Sequence, residues 1–141
     1  MSSDTLSLAI KALKSKKETL TNQLTNNSSD LRLDQRHGSS EIEDIKLKYG
    51  AEKDLIRNEI ESLDGESSSD EYAELMTELK ELDSEEDDAK EEVETDMHYK
   101  EEDITLENTS VEVQIEAIDA DIEAFETMRD EAIEDEFGYF Q

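Results

Sequence analysis

Apolar side chains recur along this chain at alternating steps of three and four residues, the seven-residue pattern of a helix with one buried face. The first stripe has two polar positions, Lys17 and Asn27, and its apolar members are Leu6, Ile10, Leu13, Leu20, Leu24 and Leu31. The Asn- and Ser-rich run 26–30 favours hydrogen bonds between side chains and the backbone over continued helix. The pattern therefore predicts a helix over about residues 3–27, followed by a connector over 28–39.

A second helix is predicted over residues 40–63. Ser40 with Glu43 three positions later has the spacing of a capping box, in which each side chain bonds a backbone N–H at the start of a helix. Gly50 is the weak point of this helix, because glycine costs about 1 kcal/mol relative to alanine in a helix interior. The stripe of this segment consists of Ile42, Ile45, Tyr49, Ile56, Ile60 and Leu63.

A third and longer helix is predicted over residues 69–136, after a loop at 64–68 in which Asp64 and Gly65 supply a turn. Ser68 with Glu71 forms a second capping box, and Gly138 is a candidate for the C-terminal cap. The stripe comprises Tyr72, Leu75, Leu79, Leu82, Ala89, Val93, Met97 and Ile104, then Val111, Ile115, Ile118, Ile122, Phe125, Ala132 and Ile133. A phase shift near residues 107–110 leaves open whether the helix continues there or breaks.

The predicted fold class is all-α in one helical domain over residues 1–141. Two arrangements remain open, an elongated antiparallel coiled-coil helical hairpin and a three-helix bundle with one long C-terminal helix. In the hairpin, the register is expected to centre on Gly65, near the middle of the chain. The lysines of the first helix, Lys11, Lys14, Lys16 and Lys17, would then face the acids Glu112, Glu116, Asp119 and Glu123.

Charge changes the functional interpretation. The chain carries 42 acidic and 14 basic side chains, a formal net charge of −28, and this argues against direct binding to nucleic acid or to an anionic membrane. Residues 1–36 hold six basic and four acidic side chains, so the N-terminal arm is slightly basic and the remainder strongly acidic. The N-terminus lacks a basic segment followed by an apolar run, which predicts a cytoplasmic protein or one exported without a cleavable signal peptide.

The sequence contains few residues in patterns that indicate catalysis or metal binding. Glu94, His98, Glu101 and Glu102 share one helical face, but a solvated acidic face explains them better than a metal site, because paired Glu-x-x-His motifs are absent. The sequence has no cysteine and no phosphate-binding glycine loop. We therefore expect no enzymatic activity, no cofactor and no bound metal.

The sequence favours a non-enzymatic structural or interaction protein that acts through coiled-coil self-association, as a filament or assembly subunit. The expected partner is a second copy or another helical protein, with no direct contact to nucleic acid or membrane. The candidate interaction residues are the apolar Ile115, Ile118, Ile122, Phe125, Phe137, Tyr139 and Phe140 and the basic Lys11, Lys14 and Lys17. Two alternatives use the acidic surface, which is densest over residues 81–96: a DNA mimic or decoy inhibitor of a nucleic-acid-binding protein, and an acidic chaperone for a basic client.

Overall fold

A computed structural model describes residues 1–63 and 69–138 of the chain. The described residues form two helices, α1 (Ser3–Glu61) and α2 (Ser69–Gly138), and none of them lies in a strand. The two helices pack against each other, as expected for a helical hairpin. The all-α class predicted from the sequence is therefore confirmed.

Local hydrogen bonds define both ends of α1. The Ser2 hydroxyl accepts a hydrogen bond from the Thr5 backbone N–H at 3.2 Å, and the Ser2 carbonyl accepts one from the Leu6 N–H at 3.1 Å. These are the bonds of an N-terminal capping residue, which satisfies N–H groups that have no partner within the helix. At the other end, the Ser62 N–H and hydroxyl both donate to the Asn58 carbonyl.

The packing divides the chain into two compact units. Unit 1 combines Met1–Leu31 with Glu102–Gln141, and unit 2 consists of Arg32–Glu101. Each helix contributes to both units, so each unit is built from one stretch of α1 and one stretch of α2. The single domain over residues 1–141 stays a prediction.

Unit 1 contains the apolar core of the described residues. Its buried members recur at intervals of seven along each helix, since Leu6, Leu20, Val111 and Ile118 belong to series with that spacing; the full set is Leu6, Ile10, Leu20, Val111, Ile118 and Ile122. Leu13, Leu24, Ile115 and Phe125 pack against this core. The helices run antiparallel here, because residues near the start of α1 contact residues near the end of α2.

The apolar contact between α1 and α2, which we call the seam, is less deeply buried in unit 2 than in unit 1. The inward-facing apolar side chains of unit 2 are half-buried, among them Ile42, Ile45, Tyr49, Ile56 and Ile60 from α1 and Leu75, Leu79, Leu82, Val93 and Met97 from α2. Their spacing also differs from unit 1, because inward positions recur every eleven residues, as in Gly38, Tyr49 and Ile60. An eleven-residue repeat corresponds to about 3.67 residues per turn, close to an undistorted α-helix.

The connector predicted over residues 28–39 is wrong, because these residues are helical and α1 continues through them. The inward stripe does not stop at Leu31 but continues through Asp34 to Gly38, while the serines at 28 and 29 point to solvent. Helix propensity is a weak preference that packing against another element overrides. Ser40, predicted to cap a second helix, is therefore an interior residue of α1.

Gly38 lies inside α1 at a position where the Met97 side chain of α2 leaves no room for a larger residue. It is buried, and a Cβ placed on it would overlap the Met97 side chain, with 2.6 Å to Cγ and 2.8 Å to Cε. The Met97 side chain thus fills the space that any larger residue at position 38 would occupy. Gly38 lies in the predicted connector, but in the structure it is a contact point between α1 and α2 in unit 2.

Helix α2 continues without a break through residues 107–110, where the sequence left two possibilities open. Asn108 is half-buried and joins the stripe from Ile104 to Val111, so no phase shift occurs there. Because α1 covers the first two predicted helices, the described residues form two helices rather than three. The predicted loop 64–68, with Gly65 and the Ser68 cap, lies outside the described residues.

The register also differs from the one expected. A register centred on Gly65 would set Ser3 opposite Thr127, whereas the Ser3 hydroxyl donates a 2.8 Å hydrogen bond to Glu136. The fit between the buried side chains of α1 and α2 sets this alignment, and the midpoint of the sequence does not.

Replacing Gly38 is expected to give a smaller gain in stability than replacing Gly50. Nothing lies within 4 Å of a Cβ at Gly50, so Gly50→Ala should raise the free energy of unfolding by about 1 kcal/mol through helix propensity. Gly38→Ala should lose part or all of that gain, because Met97 must move. Urea denaturation followed by circular dichroism measures both variants.

The Met97→Ala background supplies the control. With the Met97 side chain removed, Gly38→Ala should recover a gain of about 1 kcal/mol, so the double-mutant cycle should show a coupling of about 0.5 kcal/mol or more. Equal gains for Gly38→Ala and Gly50→Ala in the unchanged chain would show that Gly38 is not a contact point.

Candidate interaction surfaces

The apolar residues predicted to bind a second chain lie largely inside unit 1. Ile118 and Ile122 are buried, at 6% and 9% exposure, and Ile115 and Phe125 are half-buried against the same core. Helix α1 covers these side chains, so they hold the two helices together within the chain. These four side chains are therefore not exposed in the described structure, and their role in association stays a prediction.

The aromatic residues at the end of α2 have a different environment. Phe137 is 71% exposed at the last turn of α2. Tyr139 and Phe140, predicted to belong to the same surface, lie outside the described residues. A role for Phe137 in association stays a prediction.

Two of the three predicted interaction lysines form ion pairs within unit 1. Lys17 Nζ lies 2.7 Å from Asp119 Oδ1, and Lys14 Nζ lies 3.7 Å from Glu126 Oε1. These side chains are well exposed, and exposed ion pairs contribute only about 0–1 kcal/mol each. Lys11 forms no salt bridge with any described residue.

Asn27 occupies an inward position of α1 and is met by a polar residue of α2. It is 9% exposed, and its Nδ2 donates to Asn108 Oδ1 at 2.9 Å. One turn earlier, Gln23 Nε2 donates to Glu107 Oε1 at 2.6 Å. A polar pair in an otherwise apolar seam favours the one alignment in which its hydrogen bond is made, at some cost in stability.

A charged cluster occupies the seam of unit 2. Lys53 Nζ donates to Glu86 Oε2 at 2.6 Å and to Asp83 Oδ1 at 2.8 Å, and Lys90 Nζ lies 3.1 Å from Glu86 Oε1. The Glu86 residue is 8% exposed, and its two cationic partners balance the burial of its carboxylate.

The cluster shifts the pKa values of its members in opposite directions. Hydrogen bonds from Lys53 and then Lys90 lower the pKa of Glu86 below its ordinary value, against the opposing effect of burial. Hydrogen bonds to Asp83 and Glu86 raise the pKa of Lys53. Both shifts favour the charged forms that the ion pairs require.

The acidic run 81–96 is mostly exposed. Nine of its ten acids face solvent: Glu81, Asp83, Glu85, Asp87, Asp88, Glu91, Glu92, Glu94 and Asp96. The exception is Glu86, which the sequence analysis counted with the others and which faces α1 instead. The run therefore contains one buried acid in the seam of unit 2, and Asp83 joins the same cluster from an exposed position.

The outer face of α2 in unit 1 carries an uncharged stripe that the main apolar pattern of the sequence does not include. Its members again follow steps of four and three, and all are exposed: Leu106, Ser110, Val113, Ala117, Ala120, Ala124 and Thr127. Leu106 is 70% and Val113 59% exposed. The signal was present as a second seven-residue series, but it was hidden because most members are small or hydroxylated. We call this set the α2 outer stripe.

Acids border the α2 outer stripe on both sides. Glu116 and Glu123 follow one edge and Asp121 lies at the other, and all three are exposed. Residues 101–128 contain ten acids and no Lys or Arg. The stripe is therefore an uncharged strip in a uniformly negative surrounding.

Comparison with protein-family models, with curated proteins and with solved structures found no match. Within residues 1–63 and 69–138, no helix has an apolar stretch that would cross a membrane. The same residues contain no group of three or more His, Asp or Glu side chains arranged to hold a metal ion.

The ion pairs of Glu86 should make stability depend on pH. Because the folded pKa of Glu86 lies below its ordinary value of 4.5, its contribution is present above that value and is lost as pH falls through the lowered pKa. Glu86→Gln should therefore be less stable than the wild type at pH 7, and the difference should shrink under acidic conditions. Urea denaturation across pH 3–7, read by circular dichroism, follows both proteins.

Asp88→Asn is the matched control, since Asp88 is an exposed neighbour that forms no ion pair with a described residue. It removes the same unit of charge but should change the free energy of unfolding by no more than about 0.5 kcal/mol at pH 7. If both variants behaved alike at every pH, net charge and not the Lys53–Glu86 contact would account for the effect.

Proposed function

We propose that this chain is a non-enzymatic structural or interaction protein that associates with itself through its helices, as a subunit of a filament or other assembly. The α2 outer stripe carries this proposal. Although 40% of the residues in the chain are charged, seven exposed positions on the outer face of α2 are free of charge, at the spacing of a helix–helix contact.

The finer architecture is part of the same proposal. Seven-residue spacing on both helices of unit 1, with antiparallel contacts, supports a two-stranded antiparallel coiled coil. Because each helix already buries its inner stripe, a further helix would have to pack on an outer face. The α2 outer stripe supplies such a face with small side chains, which let helix axes approach closely.

The wild-type chain is expected to self-associate in solution. Sedimentation equilibrium at about 10–100 μM, a range that detects dissociation constants in the micromolar region, should give a mass above that of the monomer in about 150 mM salt. Val113→Glu should raise the dissociation constant about tenfold or more, because it puts a charge in the middle of the stripe.

Leu47→Glu is the control, since it makes the same kind of change at an exposed apolar residue of unit 2. It should leave the mass unchanged, and circular dichroism should show full helix content in both variants. A wild type that stays monomeric over the whole concentration range would rule out self-association as the function.

The exposed acids at 81–96 favour a second candidate, a decoy for the basic groove of a nucleic-acid-binding protein. Nine exposed acids along about 24 Å of helix correspond to about one charge per 2.7 Å, against one per about 1.7 Å in duplex DNA. An acidic chaperone for a basic client would use the same surface without this spacing requirement.

A competition experiment with duplex DNA distinguishes the decoy function from self-association. A decoy should displace labelled duplex DNA from a restriction endonuclease or a polymerase, and the displacement should weaken as salt rises from about 50 to 200 mM. A variant in which Glu91, Glu92 and Glu94 become Gln should compete less well, whereas the matched Glu112→Gln, Glu116→Gln and Glu123→Gln variant should not. Failure of the wild type to displace DNA would exclude the decoy role for these enzymes.

A further inference from the structure

Helix α1 carries a matching stripe on its own outer face in unit 1. All of its members are exposed and uncharged, and they follow the same steps of four and three: Leu8, Ala12, Ser15, Thr19, Asn22, Asn26 and Ser29. We call this set the α1 outer stripe. Like the α2 outer stripe, it has seven members and combines an apolar end with small and polar side chains.

The surroundings of the two stripes have opposite charge. Residues 5–29 of α1 contain four lysines and one glutamate, so this stretch is basic within an acidic chain. Lys11 and Lys16 border the α1 outer stripe on opposite edges, with the exposed Glu18 on the same edge as Lys11. Neither lysine forms an ion pair with a described residue. Glu116, Asp121 and Glu123, which border the α2 outer stripe, are exposed in the same way and also have no such ion pair.

We propose that the α1 outer stripe of one copy packs against the α2 outer stripe of a second copy. This inference rests on the proposed self-association and specifies its surfaces. Lys11 and Lys16 lie on opposite edges of the α1 outer stripe, so one lysine would lie beside Glu116 and Glu123 of the other copy and the other lysine beside its Asp121. The small side chains of both stripes, with alanines at 12, 117, 120 and 124, let the two helices approach closely.

Charge disfavours the two symmetric alternatives. Pairing of two α2 outer stripes would bring acids together, and pairing of two α1 outer stripes would bring lysines together; like charges set opposite each other disfavour a contact. The mixed pairing is heterologous, because each copy uses a different surface. In a pair of copies, each copy keeps one stripe that is not in contact. Further copies can bind these stripes in the same way, and the repeated contact generates a ring or an open filament.

Charge reversal tests this arrangement with two double variants. The first, Lys11→Glu with Lys16→Glu, makes the border of the α1 outer stripe acidic. The second, Glu116→Lys with Asp121→Lys, reverses the charge at one position on each edge of the α2 outer stripe. Each variant alone sets like charges against each other and should raise the dissociation constant about tenfold or more in sedimentation equilibrium.

An equimolar mixture of the two variants should associate again. The unchanged α2 outer stripe of the first variant meets the unchanged α1 outer stripe of the second, and the two reversed borders are again opposite in sign. The dissociation constant of the mixture should return to within about threefold of the wild-type value. Recovery on mixing also shows that both variants are folded.

Lys80→Glu with Lys100→Glu is the matched control for the first variant, because it changes the formal charge by the same amount at two exposed lysines of unit 2. It should associate like the wild type. Wild-type association that survives both reversals, or a mixture that dissociates as readily as its components, would overturn this contact and leave self-association intact. A monomeric wild type would overturn both.

Discussion

The packing of one stripe of side chains from α1 against one stripe from α2 is the interaction on which the structure depends. In a chain with net charge −28 and 33% apolar residues, few other side chains can be buried. Burial of a Leu or Ile side chain contributes about 1.5–3 kcal/mol, so the six buried residues of unit 1 are a large share of the available apolar stabilisation. Each helix therefore buries one face against the other helix and leaves the opposite face exposed.

The seam is not uniform, and its non-apolar contacts specify how the helices align. Asn27 meets Asn108 in unit 1, whereas Lys53 meets Glu86 and Gly38 meets Met97 in unit 2. Each contact can be made in one alignment only, because a slip would leave a buried polar group without a partner or place a larger side chain where glycine is needed. Apolar burial thus supplies most of the stability, and these contacts supply the register.

The outer faces carry the functional interpretation. Within unit 1 both helices keep an exposed stripe without charge, one bordered by lysines and the other by acids. In the proposed self-association, the strong negative charge disfavours contacts between like surfaces, and the basic stretch of α1 is the surface whose charge is opposite to that of α2. The high content of charged residues leaves few apolar side chains for the core. In the proposed association it also restricts which surfaces of two copies can bind each other.

The sequence by itself determined the helical class and most of the inward apolar positions, because amphipathic periodicity reports which face is buried. Tyr72, which the pattern placed on the inward stripe, is 49% exposed. It did not reveal that residues 28–39 are helical, since Asn, Ser and Gly have low helix propensity and only packing against α2 overrides it. Gly38 illustrates the limit: it lies in the predicted connector, yet it is a helical residue that accommodates Met97. Likewise, only the tertiary structure separated Glu86 from its exposed neighbours, because its inward position matters through Lys53 and Lys90, which lie on different helices.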